Sequence, residues 1–174
     1  MNYHCIVRVN ETTIISIGGR GSLSAQSFTQ TMYFNHDHLE SQKWTFGPEM
    51  KVGRAHHSCG KFTIGDISVI VVAGGISNAN GPGLTSVEFL LENGTTWIEG
   101  PDLPTTHSYS TDIVSNGDNL YLIDTFLRII LRLACNSGIQ SCQWIEQEHN
   151  LQIQRADAIV SLIPHHMTNC SDES

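Results

Sequence analysis

The sequence predicts an all-β fold built from a repeated four-stranded unit, and three observations carry that prediction. Short runs rich in Ile, Val, Leu, Tyr and Phe recur along the whole chain, each bounded by turn residues. No window of a dozen residues holds a 3.6-residue apolar period with helix caps. A double glycine and a tryptophan also return at intervals close to 50 residues.

The elements follow in order. "HCIVRV" and "TTIISI" open the chain as two strands, and Gly18-Gly19 ends the second. "TMYF" reads as a third strand, and "WTFGPEM" around Trp44 supplies a fourth. In the next unit "ISVIVVA" ends in Gly74-Gly75, "SVEFLL" follows, and "WIEGPDL" around Trp97 repeats the fourth strand. In the third, "NLYLI" and "LRIILRL" lead to "WIEQEHNL" around Trp144, with Asp124-Thr125 where Gly-Gly stood. The units therefore span residues 2–50, 51–103 and 104–150, residues 151–163 read as the first strand of another, and 164–174 are a polar tail.

Gly18, Gly19 and Gly21 after an apolar run pose the alternative of a phosphate-binding loop. A dinucleotide fingerprint needs a third glycine three positions further on, a helix starting there and an acidic residue about 20 positions later. Ser24 occupies that position and a strand follows, so the glycines read as a repeated corner. Glycine serves there because the backbone must turn or pack closely.

A double glycine ending an apolar strand, then an aromatic strand, then a tryptophan strand resembles the kelch repeat. The resemblance covers nearly the whole chain and implies a β-propeller in which each unit is one blade and the tryptophans fill the space between blades. Arg54 follows Trp44 by 10 residues and Arg155 follows Trp144 by 11, in the place of the kelch arginine. His57-Ser58 aligns with His107-Ser108, which leaves Pro104 or Thr105 for that arginine in the third unit. Propellers close with four to eight blades. Three blades and one strand imply the C-terminal part of a larger ring, and an isolated half-ring is expected to self-associate through its exposed blade faces.

If the strands alternate in direction, the 2-3 loops and 4-1 connections share one face. These segments are long, polar and glycine-rich, which suits a binding surface on a rigid scaffold. They carry Arg20, Arg54, His56, His107 and Arg155. Kelch propellers bind partner peptides on such a face. The resemblance thus implies a non-catalytic module binding a protein partner, with the arginines touching an anion or peptide. The competing reading of Arg54 and Arg155 is structural, as guanidiniums bonding to loop carbonyls within the blade.

The opposite face collects the 1-2 and 3-4 turns. Glycosylation sequons start at Asn10 and Asn93 on this side, and at Asn169 in the tail. "CNSGIQSC" places Cys135 and Cys142 where a disulfide closes a 3-4 hairpin. Cys5 and Cys59, beside strand-like sequence, read as buried free thiols. Sequons and a looped cysteine pair lean toward an extracellular parent protein. The start "MNYHCIVRV" has no basic flank and long apolar block of a signal peptide, and no apolar stretch reaches 18 residues, so no membrane span is expected.

A formal net charge of -8 with nine Lys+Arg argues against nucleic acid as a partner. The histidine clusters His36-Asp37-His38, His56-His57 and His165-His166 lack a spaced ligand set, so no metal or cofactor is expected. There is no G-x-S-x-G elbow, and no catalysis is expected. Two alternatives stand beside the interaction module. One is a fragment of a propeller enzyme such as a copper radical oxidase, whose site draws on a complete ring. The other is the substrate-recognition part of a ubiquitin-ligase adaptor.

Overall fold

The computed structural model describes residues 3–37, 44–107, 109, 111–148 and 151. They form an all-β structure of three four-stranded antiparallel sheets, with no α-helix among the described residues. The first sheet holds β1 (Cys5–Arg8), β2 (Thr13–Ile17), β3 (Thr31–Asn35) and β4 (Thr45–Phe46). The second holds β5 (Ser58–Ile64), β6 (Ile67–Ala73), β7 (Val87–Leu91) and β8 (Ile98–Glu99). The third holds β9 (Thr111–Asn116), β10 (Asn119–Asp124), β11 (Ile129–Cys135) and β12 (Cys142–Glu146). Each sheet pairs its strands in chain order. The first strands β1, β5 and β9 pack side by side, which puts them on the inside of an arc. This is a partial β-propeller whose ring is not closed. Residues 152–163 and the tail lie outside the described residues.

The middle blade shows why the sequence folds this way. A strand with both faces covered reads as a continuous apolar run, and β6, "ISVIVVA", is such a strand. Its alternate side chains sort to two cores. Val69, Val71 and Ala73 join Phe62, Val87 and Phe89 against Leu120, Leu122, Leu131 and Leu133 of the third blade. Ile70 and Val72 join Leu90 and Trp97 against Val7, Ile15 and Ile17 of the first. Each Val, Leu, Ile or Phe side chain fully buried in this way contributes about 1.5–3 kcal/mol, so the enclosed blade is stabilised from both sides.

Two hydrogen bonds repeat at each blade interface. Trp97 Nε1 donates to the Pro48 carbonyl at 3.0 Å, and Trp144 Nε1 donates to the Pro101 carbonyl at 3.0 Å. In the other direction the Gly19 N–H donates to the Arg54 carbonyl and the Gly75 N–H to the His107 carbonyl, both at 2.8 Å. The corner glycines are required by this approach. A Cβ on Gly18 would stand 2.6 Å from the Arg54 carbonyl oxygen, and one on Gly74 would stand 2.5 Å from that of His107. Gly18 and Gly74 also have φ of +59° and +68°, which side chains disfavour.

Three expectations are corrected. Cys5 and Cys59 are not free thiols but a disulfide joining β1 to β5, with Cα atoms 6.0 Å apart. Their strands are neighbours on the inside of the arc, which brings residues 54 positions apart together. Trp44, expected between blades, is 42% exposed because no described blade precedes it. The third blade also aligns differently. His107 takes the place of Arg54, 53 residues on, as the paired glycine contacts demand, so His57 corresponds to Ser110 rather than to His107.

Candidate interaction face

The strand directions place the 2-3 loops and 4-1 connections on one face, and the structure divides the expected contact residues there into buried and surface groups. Arg54 is fully buried, so it cannot touch a partner from this face. Its Nη1 donates to the carbonyls of Gly74 and Ser86, both at 2.9 Å, and its Nη2 to Glu88 Oε1 at 2.8 Å. Glu88 also accepts the N–H groups of Lys51 and Val52, at 2.7 and 3.1 Å. Burial holds the Arg54 proton affinity below its ordinary value, and the Glu88 bond and charge offset only part of that. The residue ties the 4-1 connection to strands 2 and 3 of its own blade.

His107 performs the same task with other chemistry, and it too is a correction, being 1% exposed. Its Nδ1 meets Asp124 Oδ2 at 2.7 Å and its Nε2 meets Thr105 Oγ1 at 3.0 Å. Asp124 Oδ1 accepts the N–H groups of Phe126 and Leu127, at 2.9 and 2.7 Å. Imidazole is shorter than an arginine side chain, so the acceptor must come to it. Asp124 supplies on a side chain what Gly74 supplies as a carbonyl, and the loss of Gly-Gly in the third blade follows from that exchange.

Beneath the same face His57 is buried between the first two blades. Desolvation by burial, then the Arg54 charge, lowers its pKa to about 3, so the ring is neutral at neutral pH. No group of three or more His, Cys, Asp or Glu that could hold a metal ion occurs among the described residues.

At the surface the structure brings together Arg20, His56 and two residues that sequence reasoning passed over, Tyr3 and Tyr109. The rings of Tyr3 and His56 stack at 3.8 Å between centroids, and those of His56 and Tyr109 lie 4.3 Å apart. The Arg20 guanidinium lies over the Tyr3 ring, 5.7 Å from its centroid. A signal was present in the sequence: Tyr3, His56 and Tyr109 are spaced by 53 residues each time. Arg155 lies outside the described residues.

The opposite face carries the other residues singled out from the sequence. Asn10 is exposed in the turn between β1 and β2, where its Oδ1 accepts the N–H groups of Thr12 and Thr13 at 3.0 and 2.9 Å. Asn93 is exposed in the turn between β7 and β8. Cys135 and Cys142 form a disulfide across the paired ends of β11 and β12, around a 3₁₀ turn at Ile139–Ser141. Asn169 lies outside the described residues. Compared with known proteins, the chain matches no family model and no curated sequence.

Proposed function

We propose that this chain is part of a kelch-type β-propeller acting as a non-catalytic interaction module, which binds a protein partner through its 2-3 and 4-1 loops. The kelch reading draws support from the glycine corners set against the next blade's carbonyls and from the tryptophan bonds between blades. The single observation that carries the binding reading is the division of labour on one face. The ionisable groups below it, Arg54 with Glu88 and His107 with Asp124, are buried and paired, which makes a rigid support. Above them the loops present exposed side chains, from Leu23 at the tip of the first 2-3 loop to Tyr3 and Tyr109. Rigid support with exposed chemistry at its loops is the arrangement binding surfaces use.

The test is site-directed photo-crosslinking in material from the native source. A benzophenone amino acid at Leu23 is expected to capture a discrete partner, whereas one at Glu92, exposed on the opposite face, is not. Capture from Glu92 alone would move the binding surface to the other side.

A further inference from the structure

Tyr3, His56 and Tyr109 share two features. Each stands two residues before the first strand of its blade, and each is a non-glycine residue at positive φ, 61°, 54° and 68° respectively. Left-handed backbone is uncommon for a bulky side chain. Strain of this kind persists where the surroundings impose it, and it clusters at functional sites. Here the backbone bonds impose it: the His56 N–H donates to the Tyr3 carbonyl at 3.1 Å and the Tyr109 N–H to the His56 carbonyl at 3.4 Å. The result is a ladder of three rings across three blades, at the entrance to the inner strands. Its two end residues are about half exposed, Tyr3 at 52% and Tyr109 at 55%.

One end shows what such a ring binds. The Arg20 guanidinium lies over Tyr3 within cation–π range. Tyr109 presents the corresponding ring at the other end of the ladder. The charge of the whole chain points the same way. Arg54 is neutralised by Glu88, His107 is held by Asp124, Arg20 already lies on the ladder, Lys51 pairs with Glu99, and Arg128 stands exposed in the third 2-3 loop. The first two 4-1 connections add exposed carboxylates, Glu49 and Asp102, again 53 residues apart. With a formal net charge of -8 the whole chain favours a cationic partner.

We infer that the Tyr3–His56–Tyr109 ladder is a cation-recognition site, and that Tyr109 takes the guanidinium or ammonium group of a basic peptide. This rests on the interaction-module reading for the partner being a protein, and it replaces the anionic ligand expected from the arginines with a cationic one.

Titration of the whole oxidised chain with the peptide acetyl-Gly-Arg-Gly-Arg-Gly-amide tests it. Saturable shifts of the Tyr3 and Tyr109 ring signals in NMR spectra are expected, and none with the peptide carrying glutamate for arginine. Tyr109→Gly removes the ring where the backbone suits glycine. It is expected to weaken binding about twofold to fivefold with the melting temperature unchanged or raised, while Tyr109→Phe binds as the parent does. Unchanged affinity in Tyr109→Gly overturns the inference, and a lowered melting temperature with that unchanged affinity assigns the ladder to structure. Absence of saturation with the arginine peptide overturns it as well. Preference for the glutamate peptide also overturns it but leaves the interaction module standing, whereas only the crosslinking outcome bears on that module itself.

Discussion

Trp44 and Trp97 hold the same place in the repeat, 53 residues apart, yet one is 42% exposed and the other 2%. Trp97 packs against Val7, Ile15 and Ile17 of the blade before it and donates to its Pro48 carbonyl. Trp44 has Phe34 beside it, at 5.3 Å between ring centroids, and no described blade to reach. The difference teaches that the tryptophan of one blade belongs energetically to the interface with the preceding one. The first blade consequently presents Ile6, Trp44 and Phe46 to solvent, whereas the middle blade is covered on both sides.

The comparison is broken most forcefully inside the enclosed blade. Trp97→Ala is expected to cost about 3–5 kcal/mol in chemical denaturation, and Arg54→Ala about as much, because Glu88 is left buried without its counter-charge. If either variant unfolds at the parent's denaturant midpoint, the enclosed blade is not the stable centre described here. Next comes the disulfide that ties the open blade to the enclosed one. Loss of Cys5–Cys59, which spans 54 residues, is expected to cost about 4 kcal/mol by chain entropy, against about 2 kcal/mol for the short Cys135–Cys142 loop. Hydrogen exchange on the Cys5/Cys59 double-alanine variant is expected to show the first blade losing protection before the other two.

Acid acts on the same interface through His57. The neutral folded ring has a pKa of about 3 against 6.5 in the unfolded chain, so the unfolded state binds the extra proton between those values. Stability from this residue is complete above about pH 6.5 and falls as pH drops toward 3, by up to about 1.4 kcal/mol per pH unit. Denaturation of His57→Leu across that window is expected to show a shallower slope than the parent. The smallest effect sharpens the comparison. Trp44→Ala is expected to change monomer stability by no more than about 0.5 kcal/mol. A loss as large as that of Trp97→Ala, dependent on protein concentration, would instead mean that another blade face covers Trp44 in solution. Sedimentation equilibrium reads that association directly.

Much of the fold was legible because alternation in short apolar runs and the spacing of Gly-Gly and Trp are local or strictly periodic. The third blade was misaligned where both markers changed together, Arg54 to His107 and Gly74-Gly75 to Asp124-Thr125. That exchange makes sense only once imidazole and carboxylate are seen 2.7 Å apart. The burial of Arg54 was hidden for a similar reason, since Glu88 lies 34 residues away on a strand whose facing depends on register. The ring ladder escaped because tyrosine and histidine do not look like one position, although they stack as one. The Cys5–Cys59 bond required knowing that first strands lie side by side.

The two bonds at each interface run in opposite senses along the chain, and this bears on synthesis. A ribosome releases the Pro48 carbonyl and the Gly19 N–H before their partners exist. Arg54 then arrives to accept from Gly19, and Trp97, 43 residues later, to donate to Pro48. At about 5–20 residues per second those events are separated by about 2–9 seconds. Each newborn blade is thus moored by its leading edge and locked by its trailing edge. The interval between the two gives its own four strands time to pair before the stack commits to them.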